Sequence, residues 1–145
     1  MEKLGSIFTD TSRLHHRYHH AIFTSFNLHR GQNRLFDKLQ ESEVISQTEL
    51  AHRMNIAPAT LTRMVQNMEK NGYVSRQTDK NDQRVTLIHL TPKGIETRSI
   101  IAKKLRAMDC KIFKNFTTRE QDILHKMLLR IQEQLIEEIN IENNN

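Results

Sequence analysis

The sequence predicts a mainly α fold with a small β-hairpin. Three observations carry that expectation. Apolar residues recur at three- and four-residue steps over most of the chain, one stretch near residues 73–90 switches to a period of two, and Gly and Pro number only 4 and 2 in 145 residues. The length suits one domain, 1–145.

The elements follow in order. Leu4, Ile7, Phe8, Leu14, Tyr18, Ala21 and Ile22 mark a long amphipathic helix over 4–28 that stops before Gly31. A second helix, Gln32 to Gln40, sets Leu35, Phe36 and Leu39 on one face. Ser46-Gln47-Thr48-Glu49 reads as a capping box, with Ser46 accepting from the amide three residues on and Glu49 reaching back to the cap amide. The short helix that it opens turns Leu50, Ala51 and Met54 inward. Asn55-Ile56-Ala57 is a tight connection, because Pro58 is comfortable only in the first turn of the next helix. That helix, 58–70, buries Leu61, Val65 and Met68, presents Thr60, Thr62, Arg63 and Gln66 on its other face, and ends at Asn71-Gly72.

The period of two then gives a hairpin, with strands at 73–77 and 84–90 and a polar tip at 78–83. Thr91-Pro92 starts a helix carrying Ile101, Leu105, Met108 and Ile112. Thr117 to Glu120 is a second capping box, opening a last helix whose Leu124, Met127, Leu128, Ile131 and Leu135 continue to a disordered tail at 142–145.

Charge is distributed unevenly. Residues 1–50 are neutral, 51–93 carry a net +4, 94–117 another +4, and 118–145 a net −3. A basic middle between a neutral start and an acidic end predicts a central segment that faces an anion. Cys110, the single cysteine, excludes an internal disulfide. No apolar run of 18 residues and no leader pattern occurs, so a cytoplasmic protein without a membrane partner is expected. The sequence also lacks a Gly-rich phosphate loop, a Cys-x-x-Cys pair and a Gly-x-Ser-x-Gly elbow, so no enzyme and no cofactor are expected.

Two short helices, a tight connection and a charged-tip hairpin stand in the order of a winged helix-turn-helix, here over 32–90. In that motif the second helix enters the major groove of DNA by its N-terminal end. The expected DNA-contacting residues are Ala59, Thr60, Thr62, Arg63 and Gln66 on the second helix and Ser46 and Thr48 at the start of the first. Arg76, Lys80, Asp82 and Arg84 belong to the hairpin. Arg suits guanine and Gln suits adenine, while a cation at the hairpin tip suits a narrow minor groove. The alternative is a winged-helix module that binds another protein, without sequence-specific DNA binding.

The sequence resembles the MarR family of bacterial transcriptional regulators from about Leu4 to Ile139. The resemblance is carried by Gln47–Ala51, Thr60–Val65, Met68–Arg76, Asp79–Arg84 and Leu90–Gly94 in this order and spacing. It implies a ligand-responsive repressor that binds palindromic operator DNA as a symmetric dimer, with N- and C-terminal helices (4–28 and 91–141) interlocking. It also implies that Asp82 positions Arg84 for the minor groove, although Gln83 stands where the family usually has Arg. Small aromatic or phenolic effectors are common in the family, and Tyr18, Ile22, Phe36 and Leu39 are the candidates for lining such a site. The dimer is also expected on physical grounds, since the apolar stripes of three long helices exceed what a small winged domain can cover.

His15, His16, His19 and His20 form two i,i+4 pairs, a spacing that can bind a metal. Only Asp10 lies near as a further ligand, so no metal is expected and the histidines read as a polar helix flank. Their charging at a dimer seam would be a pH response. Cys110, between Asp109 and Lys111, reads as a structural thiol rather than an oxidation sensor.

Overall fold

The computed structural model describes residues 3–29 and 31–143. Among the described residues, six helices and three short strands follow in the order α1 (Leu4–Thr24), α2 (Gln32–Lys38), β1 (Ile45–Ser46), α3 (Gln47–Met54), α4 (Pro58–Lys70), β2 (Val74–Thr78), β3 (Thr86–Leu90), α5 (Pro92–Phe113) and α6 (Thr118–Asn143). The chain packs as two compact units, one ending at Leu105 and the other beginning at Arg106. Helix α5 runs from one into the other.

The first unit holds the core. Leu35 and Phe36 from α2 with Leu39 just after it, Leu50, Ala51 and Met54 from α3, and Leu61, Val65 and Met68 from α4 are all buried, joined by Val74, Ile88 and Leu90 from the sheet. Each of the large apolar side chains among them contributes about 1.5–3 kcal/mol on removal from water. Asn55, at φ 51°, closes α3, and Pro58 sits in the first turn of α4, so the connection is as short as expected. Gly72, at φ 77°, ends α4 in a conformation that β-carbons disfavour. Thr91 then ties the next helix back: its Oγ1 donates to the Gly72 carbonyl at 2.6 Å and accepts from the Gly94 amide at 3.0 Å.

The sheet is antiparallel in the order β1-β3-β2, with Ile45 opposite Ile88 and Val74 opposite Leu90. Strand β1 is absent from the sequence expectation, because two residues are too short to show a period.

Further boundaries differ from expectation: α2 stops at Lys38 rather than Gln40, and β2 runs on to Thr78. Helix α1 ends at Thr24 rather than near Leu28. Asn27 adopts a left-handed φ of 54°, the Leu28 amide folds back to the Phe23 carbonyl, and Leu28 turns into the core. Tyr73 Oη and Asn71 Nδ2 satisfy the carbonyls of Phe26 and Asn27 at this reversal. Tyr73 precedes β2, and Arg84 lies in the hairpin tip rather than in β3. Only half of the first capping box forms: Ser46 Oγ accepts from the Glu49 amide at 3.1 Å, whereas the Glu49 carboxylate is taken by Arg53. At the other end, Glu142 and Asn143 remain helical in α6; Asn144 and Asn145 lie outside the described residues.

In the second unit, Phe113 and Phe116 meet edge to face and Gln121 Nε2 donates to the Phe116 carbonyl at 3.1 Å, fixing the turn into α6. The second capping box is complete, with Glu120 Oε2 accepting from the Thr117 amide at 2.8 Å and Thr117 Oγ1 accepting from the Glu120 amide.

That cap holds the Glu120 carboxyl below its ordinary value near 4.5. Arg53 lowers Glu43 and Arg76 lowers Glu69 in the same direction. A carboxyl lowered in the folded state stabilises above its unfolded value, and the contribution is lost as pH falls through the folded value. Thermal stability is therefore expected to be flat at neutral pH and to fall below about pH 4.5. Glu120→Gln should lower the melting temperature at pH 7 and reduce the drop between pH 5 and pH 3; an unchanged drop would show that the cap does not contribute.

Candidate nucleic-acid interface

Helix α4 exists because its apolar positions, Leu61, Val65 and Met68, fall on one stripe that the core buries. The same periodicity leaves Ala59, Thr60, Arg63 and Gln66 exposed together on the other side, with Thr62 half-buried at its edge. Ala57, the residue before the helix, makes no side-chain cap to the amide end of α4. At the start of α3, Ser46 is half-buried and occupied as a cap, while Thr48 is exposed.

The hairpin tip is shaped by two aspartates. Asp79 Oδ1 accepts from the amides of Asn81 at 2.7 Å and Asp82 at 3.2 Å, and Asp82 Oδ1 accepts from the Arg84 amide at 2.9 Å. These are side chains standing in for backbone turns. Asp82 thus acts on the Arg84 backbone and leaves the guanidinium outside that bond. Lys80 and Arg84 are exposed at this tip.

The arginines of 32–90 divide into two groups. Arg34 donates to the Met54 carbonyl, Arg53 is shared by Glu43 and Glu49, and Arg76 gives Nε and Nη2 to Glu69 at 2.9 and 2.6 Å. Among the described residues, Arg63 and Arg84 make no ion pair. The structure therefore ties down three arginines of the motif and leaves two, one on α4 and one at the tip, outside any ion pair among the described residues. An exposed, unpaired guanidinium keeps its five donors for an outside acceptor such as a phosphate or a base edge.

Three participants escape the sequence reading. Gln47 joins α3 to α4 by donating to Thr62 Oγ1 at 2.7 Å, Asp79 builds the tip, and Lys93 Nζ donates to the Asn71 carbonyl at 2.7 Å, anchoring the end of α4. Asp79, three residues before Asp82, is the one with a legible signal, an Asp at the start of a polar tip. The other two are contacts across 15 and 22 residues that no local pattern encodes.

Of the effector candidates, Phe36 and Leu39 are sealed in the core, Ile22 packs against its edge, and Tyr18 is 43% exposed on α1. The histidines of α1 lie close together: the His15 and His19 rings are 4.9 Å apart, and His16, His19 and His20 border a cavity of about 80 Å³ with Phe23, Leu28 and His29. Among the described residues, no three His, Cys, Asp or Glu side chains are arranged to hold a metal ion. Cys110 is exposed. No described helix is long and apolar enough to cross a membrane.

The family model described as MarR family matches residues 28–86, the span from the end of the α1 turn to the start of β3. Over that span the chain is similar to the MarR family. Outside that span the likeness extends to nearly the whole chain: it is 27% identical over 137 residues to the HTH-type transcriptional repressor YetL of Bacillus subtilis, covering 93% of this chain and 81% of that protein. It is 33% identical over 87 residues to the B. subtilis HTH-type transcriptional regulator YsmB, spanning 60% of that relative's length. Among solved structures, a MarR-like transcription regulator from Bacillus cereus superposes with a TM-score of 0.70 at 28% identity over 91% of this chain and 95% of the other. A Staphylococcus aureus MepR variant bound to an oligodeoxyribonucleotide superposes with a TM-score of 0.73 at 16% identity, over 93% and 99% of the two chains, which shows the shared winged-helix fold.

Proposed function

We propose that this chain is a MarR-family, sequence-specific DNA-binding transcriptional regulator, acting in the cytoplasm as a homodimeric repressor on inverted-repeat operators. The observation that carries the reading is the pair of arginines outside any ion pair among the described residues, Arg63 on the exposed face of α4 and Arg84 at the wing tip, in a motif whose other arginines are tied to protein acceptors. An α-helix fits the major groove and a wing lies along the backbone, so Ala59, Thr60, Thr62, Arg63 and Gln66 meet base edges. Ser46, Thr48, Arg76, Lys80 and Arg84 meet flanking phosphates or the minor groove, with Asp82 shaping the tip. Arg76 can serve a phosphate only while sharing its guanidinium with Glu69.

The dimer is supported by apolar surface. Helix α1 buries none of its residues, and Leu4, Ile7, Phe8 and Leu14 are exposed along it; Met127, Leu128, Ile131 and Leu135 are exposed along α6. A second copy is the natural cover. Relief by a small aromatic effector is part of the same reading, with Tyr18 and Ile22 as its accessible edge and Phe36 and Leu39 reached only if the core loosens.

Binding separates this reading from a protein-interaction module. Affinity for a selected duplex is expected to exceed that for a scrambled one and to fall steeply with salt. Arg63→Ala should relax base preference at one position per half-site and weaken binding by about 1–3 kcal/mol, with a smaller loss on scrambled DNA. Equal losses on both duplexes would reduce Arg63 to a phosphate contact, and equal wild-type affinity for both would favour the interaction module.

A further inference from the structure

Gln47, in the first turn of α3, reaches across to α4, where its Nε2 donates to Thr62 Oγ1 at 2.7 Å. Thr62 Oγ1 in turn donates to the Pro58 carbonyl, one helical turn back, at 2.9 Å. A hydroxyl has one hydrogen and two lone pairs. The hydrogen goes to a carbonyl that can only accept, so the group of Gln47 that faces the hydroxyl must be its amide NH2. One lone pair is thereby taken, and a single lone pair remains. Thr62 sits at the edge of the face formed by Ala59, Thr60, Arg63 and Gln66.

We propose that the Gln47–Thr62 pair makes Thr62 an acceptor-only reader in the major groove, selecting adenine or cytosine at one position of each half-site. The proposal rests on the DNA-binding reading above. Only those two bases present an exocyclic amino donor in the major groove, at adenine N6 and cytosine N4; guanine offers O6 and N7 and thymine O4, all acceptors. A phosphate oxygen is also an acceptor, so Thr62 held in this way has nothing to give the backbone. Turning the hydrogen outward would break the bond to Pro58 and set the hydroxyl oxygen against the Pro58 carbonyl oxygen. Thr62 is then the specificity-determining residue, its polarity set by the Pro58 carbonyl, and Gln47 the positioning residue that holds the hydroxyl and takes one of its two lone pairs.

The test begins with duplexes that the wild-type protein selects from a random pool. Each adenine or cytosine of the half-site is replaced in turn by an analogue lacking the amino group, and binding is measured for the wild type, Thr62→Ser, Thr62→Val, Gln47→Ala and the volume-matched Gln47→Leu, each checked for an intact melting transition. At one position, loss of the amino group should weaken the wild type and Thr62→Ser about tenfold and Thr62→Val less than about twofold. The Gln47 variants, in which the hydroxyl loses its second anchor, should show a smaller penalty there while keeping the preference that Arg63 sets elsewhere. A penalty in Thr62→Val equal to that of the wild type would overturn the proposal, as would an unchanged preference in both Gln47 variants. Failure of the wild type to enrich any duplex would overturn the DNA-binding reading and this inference with it, whereas enrichment without Thr62 coupling would overturn this inference alone.

Discussion

Replacing Gly94 by alanine is expected to destabilise the first unit by about 3 kcal/mol or more, seen as a loss of roughly 10 °C in melting temperature. Gly94 is buried in the first turn of α5, against the chain that links α4 to β2. A β-carbon there would overlap the Tyr73 carbonyl oxygen and stand 2.9 Å from its carbonyl carbon. Neither partner can step aside. The Tyr73 carbonyl accepts from the Thr91 amide at 3.0 Å, and Thr91 is itself fastened to Gly72 and to the Gly94 amide. Relief requires moving the start of α5 away from the end of α4, which also strains the Lys93 bond to Asn71. Gly5, near the start of α1, has open space around it, so Gly5→Ala should be neutral or stabilise by up to about 1 kcal/mol. Equal effects of the two substitutions in urea unfolding would contradict the close approach.

The second large effect is expected at the wing. Arg84→Ala removes an exposed cation from each subunit and should weaken binding to all duplexes. The slope of log affinity against log salt should become shallower by about 0.9 per lost phosphate contact, close to two for a dimer. Asp82→Ala should also weaken binding, although it removes a negative charge, because the Arg84 amide loses its acceptor and the tip loses its turn. Asp82→Asn keeps that oxygen and removes the charge, so it should bind at least as tightly as the wild type. A long-range charge model makes both Asp82 substitutions tighten binding equally. Tighter binding by Asp82→Ala across the salt range, with circular dichroism unchanged, would leave the wing as a diffuse electrostatic contact.

What the sequence made legible follows from how local each signal is. Helix α4 runs over the residues expected for it because proline, an apolar stripe and Asn-Gly mark its start, face and stop within 15 residues. The Thr117 cap formed for the same reason. Competing partners decided the rest. Glu49 satisfies a capping-box pattern, yet Arg53, one turn along the same helix, takes its carboxylate. Asn27 continues the α1 pattern on paper, but the burial of Leu28 and the bonds from Tyr73 and Asn71 favour a reversal there. Arg76 looks like a DNA-facing cation in the linear sequence, and only the fold brings Glu69 within 2.6 Å of it. The split between tied and untied arginines, on which the interface rests, is a tertiary property and has no counterpart in the charge count.

Selection from random duplex DNA tests the central claim most directly. A homodimer with α4 in the groove should enrich an inverted repeat whose two half-sites lie about 10 bp apart, centre to centre, and Arg63→Ala should lose the same position from both halves. An enriched site without twofold symmetry, or no enrichment over the starting pool, would contradict the account.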